Sequence, residues 1–116
     1  MSGKMYVLNH HLYEYRKGLR HLVLFTAATE MYPEIARKLN KYEIAHIVHP
    51  VTDSKVNIFF GHPACVEAIS RINIGRLDQL TPEEDFMLGT LLGYDPVRQC
   101  RRYLEMTTPD RACSIA

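Results

Sequence analysis

The chain has no tryptophan, and its three cysteines, Cys65, Cys100 and Cys113, form no paired spacing. An odd, scattered set of this kind argues against a disulfide framework and favours reduced thiols in a cytosol. Six histidines are present, yet no CxxC, HxH or HxxxH spacing occurs, so the usual grips for a transition metal are missing. No segment approaches the ~20 apolar residues of a membrane span. Met1-Ser2-Gly3-Lys4-Met5 lacks the apolar run of a signal peptide. Fourteen basic against thirteen acidic side chains leave a net charge of +1, so no bulk field draws the chain toward nucleic acid or anionic lipid. Internal repeats and low-complexity stretches are absent too. These absences predict a soluble cytoplasmic protein with no cofactor and no metal.

What is present is ordinary globular material. At 116 residues, 47% hydrophobic and 23% charged, the chain suits one domain with a real core. Residues 1–106 carry the patterned part, and 107–116 read as a flexible C-terminal tail. Leu22-Val23-Leu24-Phe25 is a continuous apolar run and predicts a strand buried on both faces. Before it, Met5 to Tyr15 alternates loosely, and Lys17-Gly18 suits a two-residue turn. That pattern predicts an N-terminal β-hairpin with Glu14 beside His21. A helix competes for the same segment, since Leu8, Leu12, Tyr15 and Leu19 also fit a period near 3.6. The hairpin is the preferred reading.

Thr29 then suits the cap of a helix with Tyr32, Ile35, Ala36 and Leu39 on one face. Ile44 to Val48 and Val56 to Phe60 read as strands around a turn at Thr52-Asp53-Ser54. Gly61-His62-Pro63 breaks the second into a helix whose inner face is Val66, Ile69 and Ile72. Asn73 to Gln79 is a short connector. Thr81 with Glu84 forms a capping box, Gly93 suits a left-handed stop, and Asp95-Pro96 opens a last helix. Phe86, Leu88, Leu91 and Leu92 are expected to face inward from the first helix of this hairpin. Val97, Cys100, Tyr103 and Leu104 are expected to do so from the second.

The expected fold class is α+β, a ferredoxin-like β-β-α-β-β-α core with antiparallel sheet order 1-2-4-3, plus a C-terminal helical hairpin. Two helices cover one face of that sheet. The other face needs either the hairpin or a second copy of the chain, which makes a homodimer the expected assembly.

Candidate chemistry is sparse, and no convergent catalytic set emerges. On strands, His10 and His11 would point to opposite faces, as would His46 and His49, so neither pair could grip one ion. The junction Gly61-His62-Pro63-Ala64-Cys65 could hold a small anion on the free N–H groups of Ala64, Cys65 and Val66, as an enzyme or sensor would, with Arg16, Lys17 and Arg20 brought near by the first turn. An ordinary helix cap explains the same residues. Cys65, in the first turn of its helix, could be a reactive thiol or a small buried hydrophobe, and Cys100 reads as core. Arg98, Gln99, Arg101 and Arg102 could make the last helix a nucleic-acid reader. Glu83, Glu84 and Asp85 and the near-neutral total count against that reading.

The stretches Asn9-His10-His11-Leu12-Tyr13-Glu14-Tyr15, Lys17-Gly18-Leu19-Arg20, Val56-Asn57-Ile58-Phe59-Phe60-Gly61, Thr81-Pro82-Glu83-Glu84-Asp85-Phe86 and Leu91-Leu92-Gly93-Tyr94-Asp95, with Leu88-Gly89 and Gln99-Cys100, resemble a small bacterial family of unknown function. The resemblance spans about residues 5 to 105. Genes of that family often lie near flavodoxin genes, so the resemblance implies a link to flavodoxin-type electron transfer or iron limitation. It transfers no catalytic residue. The sequence therefore favours a non-enzymatic accessory protein, dimeric, with a flavodoxin-like protein as a candidate partner.

Overall fold

A computed structural model describes residues 3–72 and 75–109. A three-stranded antiparallel sheet lies at its centre, made of β1 (Leu22–Ala28), β2 (Ala45–Pro50) and β3 (Lys55–Gly61) in the order β1-β3-β2. Five α-helices surround it: α1 (Gly3–Arg16), α2 (Tyr32–Lys41), α3 (Pro63–Ser70), α4 (Pro82–Leu91) and α5 (Pro96–Thr107). β1 and β2 both run antiparallel to β3, with Leu22 and Ala45 each opposite Gly61. The α+β class stands, and the three later strands keep their expected neighbours.

The expected first strand is not there: the segment forms α1. The helical period prevails over the alternating one through packing: Met5, Leu8 and Leu12 are buried on one face against the sheet, with Tyr15 packed beside them. Lys17-Gly18 is a helix stop and not a hairpin turn. Gly18 takes φ +79°, the Leu19 N–H donates to the Glu14 carbonyl at 2.9 Å, and the Gly18 N–H donates to that of Tyr15 at 3.0 Å. That pair of bonds is a Schellman motif, which glycine's freedom at positive φ favours. Glu14 consequently reaches His10, His11 and Arg20, where the hairpin would have set it beside His21.

Side chains alternate across the sheet, and each face has its own core. Val23, Phe25, Ile58 and Phe60 meet α1 and α2 through Leu8, Leu12, Ile35 and Leu39. Leu22 and Phe59 meet α3 and α4 through Val66, Ile69, Leu88 and Leu92. Two helices therefore lie on each face, which departs from the ferredoxin-like expectation of both crossover helices on one side. Once α1 replaces a strand, α2 shares its face and α3 takes the other. Both faces of the sheet are shielded within one chain, and at roughly 1.5–3 kcal/mol per fully buried large apolar side chain this burial is the main stabilising term. The polar pair Thr26 and Asn57, hydrogen-bonded at 2.6 Å, interrupts the second face. Asn57 lines a surface groove with Pro50, Leu77 and Asp78, the last two from a short 3-10 turn at Leu77–Gln79.

Local signals hold in the second half of the chain. Thr81 and Glu84 form the reciprocal capping box at 3.1 and 2.9 Å, and Asp95 accepts from the Arg98 N–H at 2.9 Å. Gly93, at φ +84°, closes α4 by the same Schellman pattern as Gly18. The expected Thr29 cap fails. A 3-10 turn occupies Thr29–Met31, and Pro33 sits in the first turn of α2, so the helix begins at Tyr32 without a side-chain cap. Part of the connector (residues 73 and 74) and most of the tail (110 to 116) lie outside the described residues.

Candidate interaction surfaces

The helical hairpin departs most from the expected packing. Leu88 of α4 and Leu92, which caps its C-terminal end, are buried against the sheet, and Leu91 is half-buried. On α5, by contrast, the buried residue is Gln99. Val97 and Leu104 are 57% and 60% exposed, and Cys100, expected in the core, is also exposed. Gly89 explains the rotation. A Cβ there would run into the Gln99 side chain, so the bare glycine gives α5 a slot into which Gln99 fits. Tyr103 and Arg102 flank that slot. Arg102 donates twice to the Asp85 carboxylate, at 2.7 and 3.1 Å, and Tyr103 donates to Glu83 at 2.9 Å.

The apolar stripe of α5 consequently points away from the protomer. With Phe86 and Met87 of α4 it lines an outer groove of about 580 Å³, bordered by Cys100, Tyr103 and Leu104. The opposite side of the hairpin forms a second groove of about 830 Å³. Its floor is Leu24, Leu77, Leu80, Leu88 and Leu92, and Arg98, Arg101 and Arg102 line it together with Asp85, Asp95 and Glu105. The three arginines suggested for nucleic acid thus share one groove with three carboxylates, and Arg102 is already engaged by Asp85.

The suggested anion-site residues are only partly brought together. His62 caps α3, its Nδ1 accepting from the Ala64 N–H at 3.0 Å, and the Val66 N–H donates to the His62 carbonyl at 3.0 Å. Two of the three N–H groups are therefore already used. Cys65 is half-buried in the second core. The start of β1 does pass the junction, since the His62 N–H donates to the His21 carbonyl at 2.9 Å. The basic side chains turn elsewhere. Arg16 stacks on Tyr42, Lys17 lies over Tyr13, and Arg20 reaches His11 and the Leu92 carbonyl.

His10 and His11, on a helix and not a strand, are neighbours, with ring centroids 6.2 Å apart and Glu14 within 3.7 and 3.6 Å. Among the described residues no three His, Cys, Asp or Glu side chains converge as a metal site would require. The His11 pKa is lowered, mainly by burial and then by the Arg20 guanidinium, against the opposing pull of Glu14. Arg20 can only donate, so His11 Nδ1 is the acceptor of their 3.2 Å contact. Arg20 also reaches the Leu92 carbonyl at 3.5 Å, which links α1 to the end of α4. Spacing within α1 could have revealed this cluster once the segment was read as a helix, because Glu14 lies three and four residues beyond the two histidines.

A family model described as a protein of unknown function, DUF2023, matches residues 6–106, from the first turn of α1 to the last turn of α5. The chain belongs to the DUF2023 family. The match spans the sheet, both cores and the hairpin, so the outward stripe of α5 lies within the family's region. A search of curated proteins returns no match. Among the described residues no helix is long and apolar enough to cross a membrane.

Proposed function

We propose that this protein is a non-enzymatic binding protein that acts through protein contacts, pairing with a second copy through the outer face of α4 and α5. One observation carries the reading: an amphipathic helix buries a glutamine and turns Val97, Cys100 and Leu104 to solvent. Contiguous apolar patches rimmed by polar groups mark interaction surfaces. The hairpin cannot hide this stripe by rolling over, because Leu88 and Leu92 would then leave the second core. A twofold axis beside α5 would set two hairpins face to face as a four-helix bundle, the self-complementary arrangement that homodimers favour.

Light scattering and sedimentation equilibrium test this directly. Wild-type protein is expected to have twice the protomer mass, and Leu104→Glu is expected to be monomeric with an unchanged circular dichroism spectrum. A wild-type monomer at every accessible concentration would remove the reading. The heterologous partner proposed first is a flavodoxin-like protein, on the strength of the family resemblance. Calorimetric titration against the dimer tests it, and absence of heat and of chemical-shift change would exclude that partner.

A further inference from the structure

The groove where α1 and α2 end has a different character from either side of the hairpin. It measures about 560 Å³ and is lined by Asn9, Leu12, Tyr13, Arg16, Lys17, Lys38 and Tyr42, with no carboxylate among them. Lys41 does not line the groove, but its ammonium lies 5.6 Å from the Tyr42 ring centre, which places a fourth cation at the groove's edge. Among the described residues the carboxylates that form ion pairs do so with other groups, and Glu14 of the same helix is engaged by His10, His11 and Arg20. A chain of net charge +1 thus gathers four cations in one place.

Tyrosines hold three of these cations, Arg16, Lys17 and Lys41, in position. The Arg16 guanidinium stacks 4.4 Å from the Tyr42 centroid and the Lys17 ammonium lies 5.6 Å from that of Tyr13, contacts that restrain long side chains which would otherwise lose rotamer freedom on binding. The same contacts cover ring faces that a nucleobase would need for stacking. Both helices arrive here by their C-terminal ends, closed by Schellman bonds at Gly18 and Glu43. That end presents carbonyls and offers no cradle of N–H donors for a compact phosphate. Cations on long arms at several separate points suit an extended row of carboxylates.

We propose that this groove docks an acidic segment of a partner protein, its carboxylates received by Arg16, Lys17, Lys38 and Lys41. The assignment rests on the protein-contact reading above and supplies the chemistry of a partner for a surface separate from the self-pairing face. Such contacts raise association rate and specificity and are sensitive to salt.

Fluorescence anisotropy with fluorescein-labelled polyglutamate and the full-length protein tests the proposal. Saturable binding is expected at low ionic strength and should weaken as salt is added. Arg16→Gln with Lys38→Gln should lower affinity about tenfold or more, while Arg98→Gln with Arg101→Gln, which removes the same charge from the hairpin, should leave it nearly unchanged. Tyr42→Leu removes no charge, yet it should also weaken binding by freeing Arg16 and Lys41. Thermal melts establish that each variant is folded. Lack of binding, or equal loss in the two double variants, would overturn the proposal. So would tighter binding of oligothymidylate at the same residues, or displacement of the peptide by stoichiometric inorganic phosphate. None of these outcomes touches the dimer reading, which is decided by the masses of the wild type and of Leu104→Glu.

Discussion

β3 and α5 are both short segments with apolar side chains, and they end in opposite environments. Val56 through Phe60 are all buried, because β3 has a strand on each edge and helices over each face. α5 packs mainly on α4, and beside the Arg102–Asp85 and Tyr103–Glu83 bonds it is the contact of Gly89 with Gln99 that sits at the centre of their interface. A glycine on one helix admits a long polar side chain from the other, which fixes the rotation and leaves Val97 and Leu104 outside. Hydrophobicity alone does not bury a residue; the geometry of the neighbour does. A polar residue inside and an apolar stripe outside, on one helix, leaves the protomer with a surface that a partner would complete.

Truncation measures that contrast at its widest. Phe59, fully buried between the sheet and α3, should cost about 3–5 kcal/mol as Phe59→Ala. Leu104→Ala should cost less than about 0.5 kcal/mol in the isolated protomer, as surface substitutions do. Denaturant midpoints measured at concentrations below self-association check the pair. Comparable losses would mean that α5 is rotated with Leu104 inward and would break the comparison.

The sequence disclosed the sheet and the hairpin unequally, for physical reasons. A doubly covered strand is uniformly apolar, and Leu22 to Phe25 and Val56 to Phe60 show this in their composition alone. The caps at Thr81 and Asp95 are local bonds within four residues, so spacing predicts them. The segment preceding β1 was ambiguous because Met5 to Tyr15 fits either period; only its packing against Phe25 and Ile58 selects the helix. Rotation of α5 was hidden because apolar periodicity identifies a stripe without saying what it faces. The Arg16–Tyr42 stack joins residues some 25 positions apart, which no spacing rule connects. Glu43 at φ +55° terminates α2 in a position that glycine usually fills, so that helix end was set without its common signal.

Two glycines sharpen the comparison at intermediate energy. Gly61, at φ +153°, is packed so that a Cβ would strike the His21 carbonyl and the Leu22 backbone. Gly61→Ala must therefore move β1 or α3, and a loss of about 2–3 kcal/mol is expected. Gly89→Ala meets the flexible end of Gln99 instead. The amide can swing aside, and alanine favours the helix by up to about 1 kcal/mol, so stability should change by less than about 1 kcal/mol. Thermal melts of the two variants decide it. A larger loss at Gly89 would show that the hairpin interface is as rigid as the sheet.

The smallest expected effect concerns the link between the two regions. His11 accepts from Arg20, and Arg20 reaches the Leu92 carbonyl at the end of α4. The folded pKa of His11 lies below its ordinary value of 6.5, so on acidification the unfolded chain takes up the proton first. Stability is therefore unaffected well above 6.5 and declines as pH falls from there toward the folded value. Protonated His11 can no longer accept from Arg20 at Nδ1, although Glu14 would still attract it, and the contact that draws Arg20 toward Leu92 weakens. Unfolding measured from about pH 8 to about pH 5 should show this decline in the wild type and a shallower one in His11→Gln, whose amide oxygen can still accept. Equal slopes would mean that the sheet and the hairpin are held together by their apolar contacts alone.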